Sequence, residues 1–212
     1  MTHLPSAYRP DDQAPHSRRF VAVEGVSGCG KTTLVRHLGA ELPAATLHTI
    51  PQPLSKLSGW VNGHCLPLPQ LAFYLTGLLH ASDSIRAYLP RRHVVADRYA
   101  TSVIANHAAV NGIEVRKVQE MLHPFTPYLV RPGITLYLHT SASELRRRMA
   151  DKPDLSPSDR HLLDNPQVLT RLVSLYVQFA EDDPNAVGIV TDGMTIAEVA
   201  DTAWLAVKER AC

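Results

Sequence analysis

Residues Phe20-Val21-Ala22-Val23-Glu24-Gly25-Val26-Ser27-Gly28-Cys29-Gly30-Lys31-Thr32-Thr33-Leu34-Val35-Arg36-His37-Leu38 decide how the rest of the chain is read. The apolar run at 20–24 reads as a buried strand, and the residues after Gly30 as a helix at about 31–42. Between them, Gly25 to Thr32 fit G-x-x-x-x-G-K-[ST], the phosphate-binding P-loop. Its glycines let the backbone turn tightly, so that N–H groups from Gly25, Val26, Ser27, Gly28, Cys29 and Gly30 point inward at phosphate oxygens. The N-terminus of the following helix adds a positive dipole end. Lys31 is expected to reach the β- and γ-phosphates and the Thr32 hydroxyl to hold Mg²⁺, with Thr33 completing the cofactor-binding set. The bland alternative is an ordinary glycine turn before a helix.

Bulk properties narrow the setting. The chain has 212 residues, enough for one α/β domain with a sizeable core. Its net charge of +1 gives no sign of a polymeric nucleic-acid partner or a membrane surface. The longest apolar runs are far shorter than a membrane span. Cys29, Cys65 and Cys212 are odd in number and widely spaced, which matches neither a disulfide framework nor a metal site. A reduced, cytoplasmic setting follows by default. The histidines are scattered singly, so none is read as a metal ligand. Residues 1–18 carry Pro5, Pro10 and Pro15 among polar residues and resemble a disordered tail rather than a signal peptide. Residues 19–212 then form one domain.

Along that domain, strand and helix signals alternate. Strands are expected at 20–24, 45–49, 94–97, 134–138 and 187–190, and helices at 31–42, 69–89, 100–110, 114–122, 142–150, 166–181 and 195–209. This argues an α/β fold, a parallel sheet with helices on both faces. Residues 151–165 are polar, contain Pro153 and Pro157, and read as a mobile loop.

A P-loop by itself says nucleotide binding. A GTPase would need an Asn-Lys-x-Asp element and an Asp-x-x-Gly switch, and neither occurs. A small chain with a polar loop between two late helices suits a small-molecule kinase with a closing lid. A second constellation, Asp97-Arg98-Tyr99-Ala100-Thr101-Ser102, directly follows the third strand. In a parallel sheet this puts Asp97 at the carboxyl edge beside the P-loop, where a carboxylate can hold Mg²⁺. Arg98 is a planar five-donor fork able to bridge donor and acceptor phosphates. The alternative is an Asp–Arg pair that merely caps the next helix.

At this point the chain resembles the thymidylate kinase family over about residues 19–210. The P-loop matches, and Asp97-Arg98-Tyr99 with Ser102 and Ala105 is similar to the family's D-R-[YFH]-x-x-S-x-x-A-Y motif. The resemblance implies a P-loop kinase three-layer sandwich with five parallel strands in the order 2-3-1-4-5. It implies ATP and Mg²⁺ as cofactors, phosphoryl transfer to a nucleoside monophosphate, and commonly a homodimer. It also assigns Phe73 to stacking on the acceptor base, Ser102 to the substrate side, and Arg148 to packing on the donor adenine. Asp159-Arg160 resembles the family's lid pair, with Arg160 as a catalytic lid arginine over about 151–165. Arg171 and Tyr176 match the R-x-x-x-x-Y spacing after the lid. Arg146 and Arg147 read as a solvated face.

The departures gather on the acceptor side. Ser27 stands where the family's P-loop usually has Asp or Glu. Gly77 stands where the family has an arginine that reads thymine. Asn106 replaces the aromatic that crowds the ribose 2′ position, and Thr49-Ile50-Pro51 replaces Arg-Glu-Pro or a related element. Three readings stay open. The first is a nucleoside monophosphate kinase with a re-specified acceptor pocket. The second is a nucleoside or other alcohol kinase, which needs a general base, with Asp97 or Glu24 as candidates because no Asp or Glu lies between Leu42 and Asp83. The third is a nucleotide-gated binding or regulatory protein without turnover.

Overall fold

The computed structural model describes residues 17–150 and 155–211. The tail expected at residues 1–18 lies outside this range apart from Ser17 and Arg18, and these two belong to the first strand rather than to a tail.

Strand β1 (Ser17–Gly25) is buried on both faces from Phe20 onward. Strands of that kind sit in the middle of parallel sheets, where helices cover both sides. β1 is flanked by β3 (Val94–Asp97) and β4 (Pro132–His139), with β2 (Ala45–His48) and β5 (Ala186–Val190) at the edges. The order is β2-β3-β1-β4-β5, every pairing is parallel, and the expected topology is observed. The register pairs Val23 with Asp97, so β1 and β3 end at the same edge.

Helices α1 (Lys31–Glu41) and α9 (Ile196–Ala211) pack together on one face of the sheet. On the other face lie α3 (Pro67–Tyr88), α4 (Ala100–Val110) and α8 (Pro166–Asp182). The three layers meet in one core that includes Phe20, Leu38, Leu78, Ile85, Leu136, Leu172 and Tyr176. Phe20 and Tyr99 meet edge to face at 5.1 Å between ring centroids. Pro67 and Pro166 open α3 and α8, where a missing N–H is harmless and φ is already set. Further helices are α2 (Ser58–His64), α5 (Val115–Leu122) and α6 (Ala142–Ala150). No described helix is long and apolar enough to cross a membrane.

Two segments differ from the sequence reading. The proline-bearing stretch after β2 contains a 3₁₀ turn, Leu54–Leu57, and then α2. The polar stretch expected as a loop contains helix α7 (Pro157–Asp164), and residues 151–154 of it lie outside the described range. α7 forms because Ser156 accepts a hydrogen bond from Asp159 N at the N-cap and Pro157 follows at the first helical position. Of the two prolines read as a break, Pro157 is the one that starts α7, and Pro153 lies outside the described residues.

Leu136 is fully buried in β4 beside the central strand. Leu136→Ala leaves a cavity there and should destabilise the fold by about 2–5 kcal/mol, read from urea unfolding at unchanged m-value.

Candidate active site

The carboxyl edge of the sheet carries the chemistry. The P-loop leaves β1 at this edge and takes positive φ at Gly25, Gly28 and Gly30 (145°, 87° and 100°), a region closed to most side chains. A Cβ at Gly30 would meet no atom within 4 Å, so its glycine serves the turn and the open cradle above it rather than packing. Lys31 is buried and its Nζ donates to Val26 O at 2.6 Å across the loop. Burial pushes its ammonium below the ordinary lysine range, with the Arg98 charge adding to this and Cys29, Asp97 and Glu24 opposing it.

The second half of the site leaves β3. Thr32 Oγ1 donates to Asp97 Oδ2 at 2.6 Å, tying the P-loop to β3. Asp97 Oδ1 is buried with no hydrogen-bond partner among the described residues. A hydroxyl and a carboxylate, one of whose oxygens is unspent, form an oxygen donor set that suits Mg²⁺ beside phosphates. Arg98 has φ of 71°, rare for a side chain of its size, and its backbone N–H donates to Val23 O at 2.9 Å. That bond turns the chain so that the half-buried guanidinium lies by the P-loop, where Nη1 meets Gly25 O at 3.3 Å and Ser102 Oγ at 3.2 Å.

A cleft of about 560 Å³ opens on the α1–α9 side, lined by Gly28, Thr33, His37, Arg148, Thr191 and Met194 among others. Arg148 is fixed there: Nε donates to Glu144 Oε1 at 2.8 Å and Nη2 to Thr191 O at 2.8 Å. Hydrogen bonds from Arg147 and Arg148 hold the Glu144 carboxyl down at about 2. A guanidinium held flat by two partners is a ready stacking surface for an aromatic base. Arg147 is exposed and paired with Glu144, as a solvated-face reading requires.

The acceptor-side residues are arranged less as the sequence suggested. Phe73 is half-buried on α3, with its ring 5.4 Å from that of Tyr74. Gly77 is buried, and an added Cβ would lie 2.4 Å from Ile50 Cδ1 and 3.2 Å from Thr49 O. The expected substrate contact at Gly77 is therefore replaced by packing: Ile50 fills the space. Ser102 is buried, and its hydroxyl is taken up by Glu24 Oε2 (2.5 Å), Tyr176 Oη (2.8 Å) and Arg98, so it does not face a substrate. Asn106 is half-buried on α4, and its Nδ2 donates to Ser102 O at 2.7 Å and reaches Tyr176 Oη at 3.4 Å. Arg160 is exposed on α7. Its neighbour Asp159 is the residue brought in, buried and accepting a hydrogen bond from Ser27 Oγ. Arg171 donates to Ile113 O and is not at the site.

Ile50 and the hydroxyl of Tyr176 had no assigned role at the site, and Glu24 and Asp159 take roles other than the general base and lid pair expected of them. Glu24 is 1% exposed, with Oε1 accepting from Tyr99 N (2.8 Å) and Ser102 N (3.3 Å) at the start of α4. Burial raises its carboxyl above the usual range against the lowering effect of Ser102 and Arg98. Its oxygens are committed inside the protein, so it is no general base. The R-x-x-x-x-Y spacing was the one signal for Tyr176; Glu24 was read only as a candidate base, and nothing in the spacing linked it to Ser102.

A profile of the family described as thymidylate kinase matches residues 23–202. The chain belongs to the thymidylate kinase family. A thymidylate kinase of Prochlorococcus marinus (strain MIT 9313) is 30% identical over 186 residues, covering 78% of this chain and 83% of that one. A thymidylate kinase of Syntrophotalea carbinolica is 25% identical over 202 residues, covering 88% and 93%. The thymidylate kinase of Candida albicans superposes with a TM-score of 0.73 at 19% identity, over 90% of this chain and 91% of that one. A deoxyadenosine kinase from M. mycoides, with bound dCTP, superposes with a TM-score of 0.66 at 12% identity, over 90% and 99%. At those identities the two structures speak to the fold alone. Membership makes the chain a nucleotide kinase of the thymidylate kinase type.

The Ser27–Asp159 bond joins α7 to the P-loop. Asp159→Asn weakens a charge-assisted hydrogen bond by about 1–2 kcal/mol. Amide hydrogen exchange over Pro157–Asp164 should accelerate about 5- to 30-fold while exchange in β1 and β4 is unchanged.

Proposed function

We propose that this member of the thymidylate kinase family transfers the γ-phosphoryl group of ATP, with Mg²⁺, to a nucleoside monophosphate whose base is not read as thymine through position 77. The observation that carries this is the contrast between the two halves of one site. The donor half is assembled around Lys31, Thr32, Asp97 and Arg98, whereas Ile50 closes the space over Gly77.

In this reading the P-loop amides and Lys31 hold the donor phosphates, and Arg148 supports the adenine. Thr32 and Asp97 hold Mg²⁺, which when bound neutralises charge across the donor phosphates. Arg98 aligns the acceptor phosphate against the donor for in-line attack. Phe73 offers its ring to the acceptor base, and Asn106 leaves room for a polar contact near the sugar. α7 and its flanking residues act as the lid. Asp159 ties it to the loop, Arg160 swings in when nucleotide is bound, and closure excludes water that would hydrolyse ATP. The proposal extends to a cytoplasmic enzyme acting on small molecules.

A phosphate acceptor is favoured over a hydroxyl because Glu24 is committed inside the protein, His48 is not free to take a proton, and Asp97, whose Oδ1 is uncommitted, is given to Mg²⁺ in this reading. His48 ends β2 opposite Asp97, and its Nδ1 accepts from Ile50 N at 3.2 Å. Desolvation keeps this imidazole below its ordinary range, partly opposed by Asp97, so it is neutral with its proton on Nε2. In that form it donates rather than removes a proton. A phosphate acceptor is already ionised and needs no base.

The test is a panel of nucleoside monophosphates and nucleosides with ATP·Mg²⁺. An arginine contact to a base is worth about 1–3 kcal/mol, so dTMP should exceed the best other monophosphate by less than about 10-fold in kcat/KM. A preference for dTMP above about 100-fold overturns the acceptor reading, faster turnover of nucleosides supports the alcohol-kinase reading, and no transfer to any acceptor supports a regulatory protein. Lys31→Met should lower transfer by about 10²–10³-fold or more with the fold intact by circular dichroism, and near-normal turnover would sink the mechanism.

A further inference from the structure

Arg98 and four polar groups behind it, on Tyr176, Ser102, Asn106 and Glu24, form a connected set whose hydrogens can be placed by their donors and acceptors. Tyr176 Oη is within reach of Ser102 Oγ (2.8 Å), Arg98 Nη1 (3.4 Å) and Asn106 Nδ2 (3.4 Å). Arg98 and Asn106 present only N–H groups, and the orientation of the Asn106 amide is fixed by its donation to Ser102 O at 2.7 Å. The Tyr176 hydrogen therefore has one destination, Ser102 Oγ. Arg98 Nη1 also lies 3.2 Å from Ser102 Oγ; its two hydrogens meet three oxygens, Gly25 O, Ser102 Oγ and Tyr176 Oη, so one is shared between the two neighbouring hydroxyls, and Ser102 Oγ accepts from Tyr176 and from that shared hydrogen. The Ser102 hydrogen must then go onward to Glu24 Oε2, 2.5 Å away. Glu24 accepts at both oxygens, the other taking the N–H groups of Tyr99 and Ser102, and these bonds with the Arg98 charge favour the carboxylate against the burial that raises its pKa.

We infer that Glu24 is a positioning residue for the phosphoryl-transfer reaction: acting through Ser102 and Tyr176, its carboxylate fixes the direction of a hydrogen-bond chain that holds the Arg98 guanidinium toward the P-loop. The inference rests on the role given to Arg98 above. The chain has one polarity, from the guanidinium through two hydroxyls to the carboxylate. Ser102 and Tyr176 are both buried, so no water competes for these bonds. The need for such a brace is local. Arg98 has a left-handed backbone, and its side chain leaves β3 with the Gly25 carbonyl as its contact on the loop side. Residues in that conformation persist where their surroundings over-determine them. Glu24 does this twice, by binding the start of α4 through Tyr99 N and Ser102 N, and by terminating the chain from Arg98. Tyr99, the N-cap residue of α4, makes no side-chain cap of its own.

An amide at position 24 keeps the shape and reverses the order. In Glu24→Gln the oxygen stays on the backbone N–H groups and the NH₂ faces Ser102 Oγ. Ser102 then donates to Tyr176, and the Tyr176 hydrogen is turned against the N–H groups of Arg98 and Asn106. Tyr176→Phe instead leaves Glu24 and the α4 cap intact and removes one link.

The experiment measures ATP·Mg²⁺-dependent transfer to dTMP, AMP, CMP, GMP and UMP for E24Q, Y176F, R98K, R98A and the double variant E24Q/R98K. ATP affinity, melting temperature and the ¹⁵N–¹H signals of the Arg98 guanidinium are recorded alongside. Native Arg98 should show resolved, slowly exchanging guanidinium signals, and E24Q and Y176F should average them. We expect E24Q to lower kcat about 10- to 100-fold and Y176F about 3- to 10-fold, with KM for ATP within about 3-fold. In the R98K background E24Q should have less than about a 2-fold further effect on kcat, because the group it positions has already been changed. The inference is overturned if E24Q and Y176F both keep kcat within about 2-fold of native. It is also overturned if the E24Q loss is equally large with R98K, which would make Glu24 a cap for α4 and nothing more. If E24Q does not fold, Y176F decides alone. If R98A keeps full activity, the proposed role of Arg98 fails, and the Arg98 signals in Y176F still decide whether the chain holds the guanidinium.

Discussion

The parallel pairing of β1 with β3, in the register that sets Val23 beside Asp97, is the constraint on which the rest depends. It makes two strands end together, so the loop leaving one faces the loop leaving the other. The first loop supplies a run of backbone amides and Lys31, and the second supplies a carboxylate and a guanidinium. Thr32 and Asp97 then close the gap with one hydrogen bond. A one-residue slip would send Asp97 to the opposite face of the sheet and break that bond, because side chains alternate along a strand. The strand is buried on both faces from Phe20 to Gly25, so helices pack on both sides of the pairing that sets this edge. The chemistry is thus positioned by strands whose own sequences are almost wholly apolar.

What could be read in advance follows from how local each signal is. Gly25 to Thr32 carry their meaning within eight residues, and the strand before and helix after them sit within the same stretch. Asp97-Arg98 needed only that the sheet be parallel, which the alternation of strands and helices argues, and both came to its carboxyl edge. Gly77 shows the limit. It was legible as a missing arginine but not as a contact, because its partner Ile50 lies on another element and packing is not written in spacing. Ser102 failed in a different way: its hydroxyl looked available, and only the fold shows that Glu24 and Tyr176 use it. The stretch at 151–165 was read as a loop on the strength of its prolines, yet at N1 positions proline begins a helix as readily as elsewhere it ends one.

The two halves of the site obey different constraints, which explains why divergence collects in one of them. The donor half is built mostly from backbone: amides of a loop, a helix terminus, the carbonyl that accepts from Lys31. Such a site tolerates few changes, since any residue with a Cβ is strained at the positive φ of Gly25, Gly28 and Gly30. The acceptor half is built from side chains on α3, α4 and the segment after β2. There a change at one position can be answered at another, as Ile50 answers Gly77. Ser27 lies on the border. Its hydroxyl does not replace an acid by itself but reaches Asp159, so a carboxylate still stands beside the loop, delivered from α7 rather than from the P-loop.

That arrangement bears on how the site balances charge. Lys31 and Arg98 lie close enough for the guanidinium to help push the lysine down, and a nucleotide brings negative charge between them. Two carboxylates offset the pair before nucleotide arrives, and they do so from different depths. Asp97 stands at the edge, bonded to Thr32 and with one oxygen uncommitted, so its charge is available to a cation. Glu24 lies behind, with all of its accepted bonds coming from within the protein. A carboxylate placed there stabilises the guanidinium without repelling a phosphate directly, because two hydroxyls separate it from the site. Had Glu24 met Arg98 in a direct ion pair, the guanidinium would spend its donors on the carboxylate and have fewer left for phosphate oxygens. Routing the attraction through Ser102 and Tyr176 uses one terminal nitrogen, Nη1, and leaves the other edge of the fork free to meet an anion.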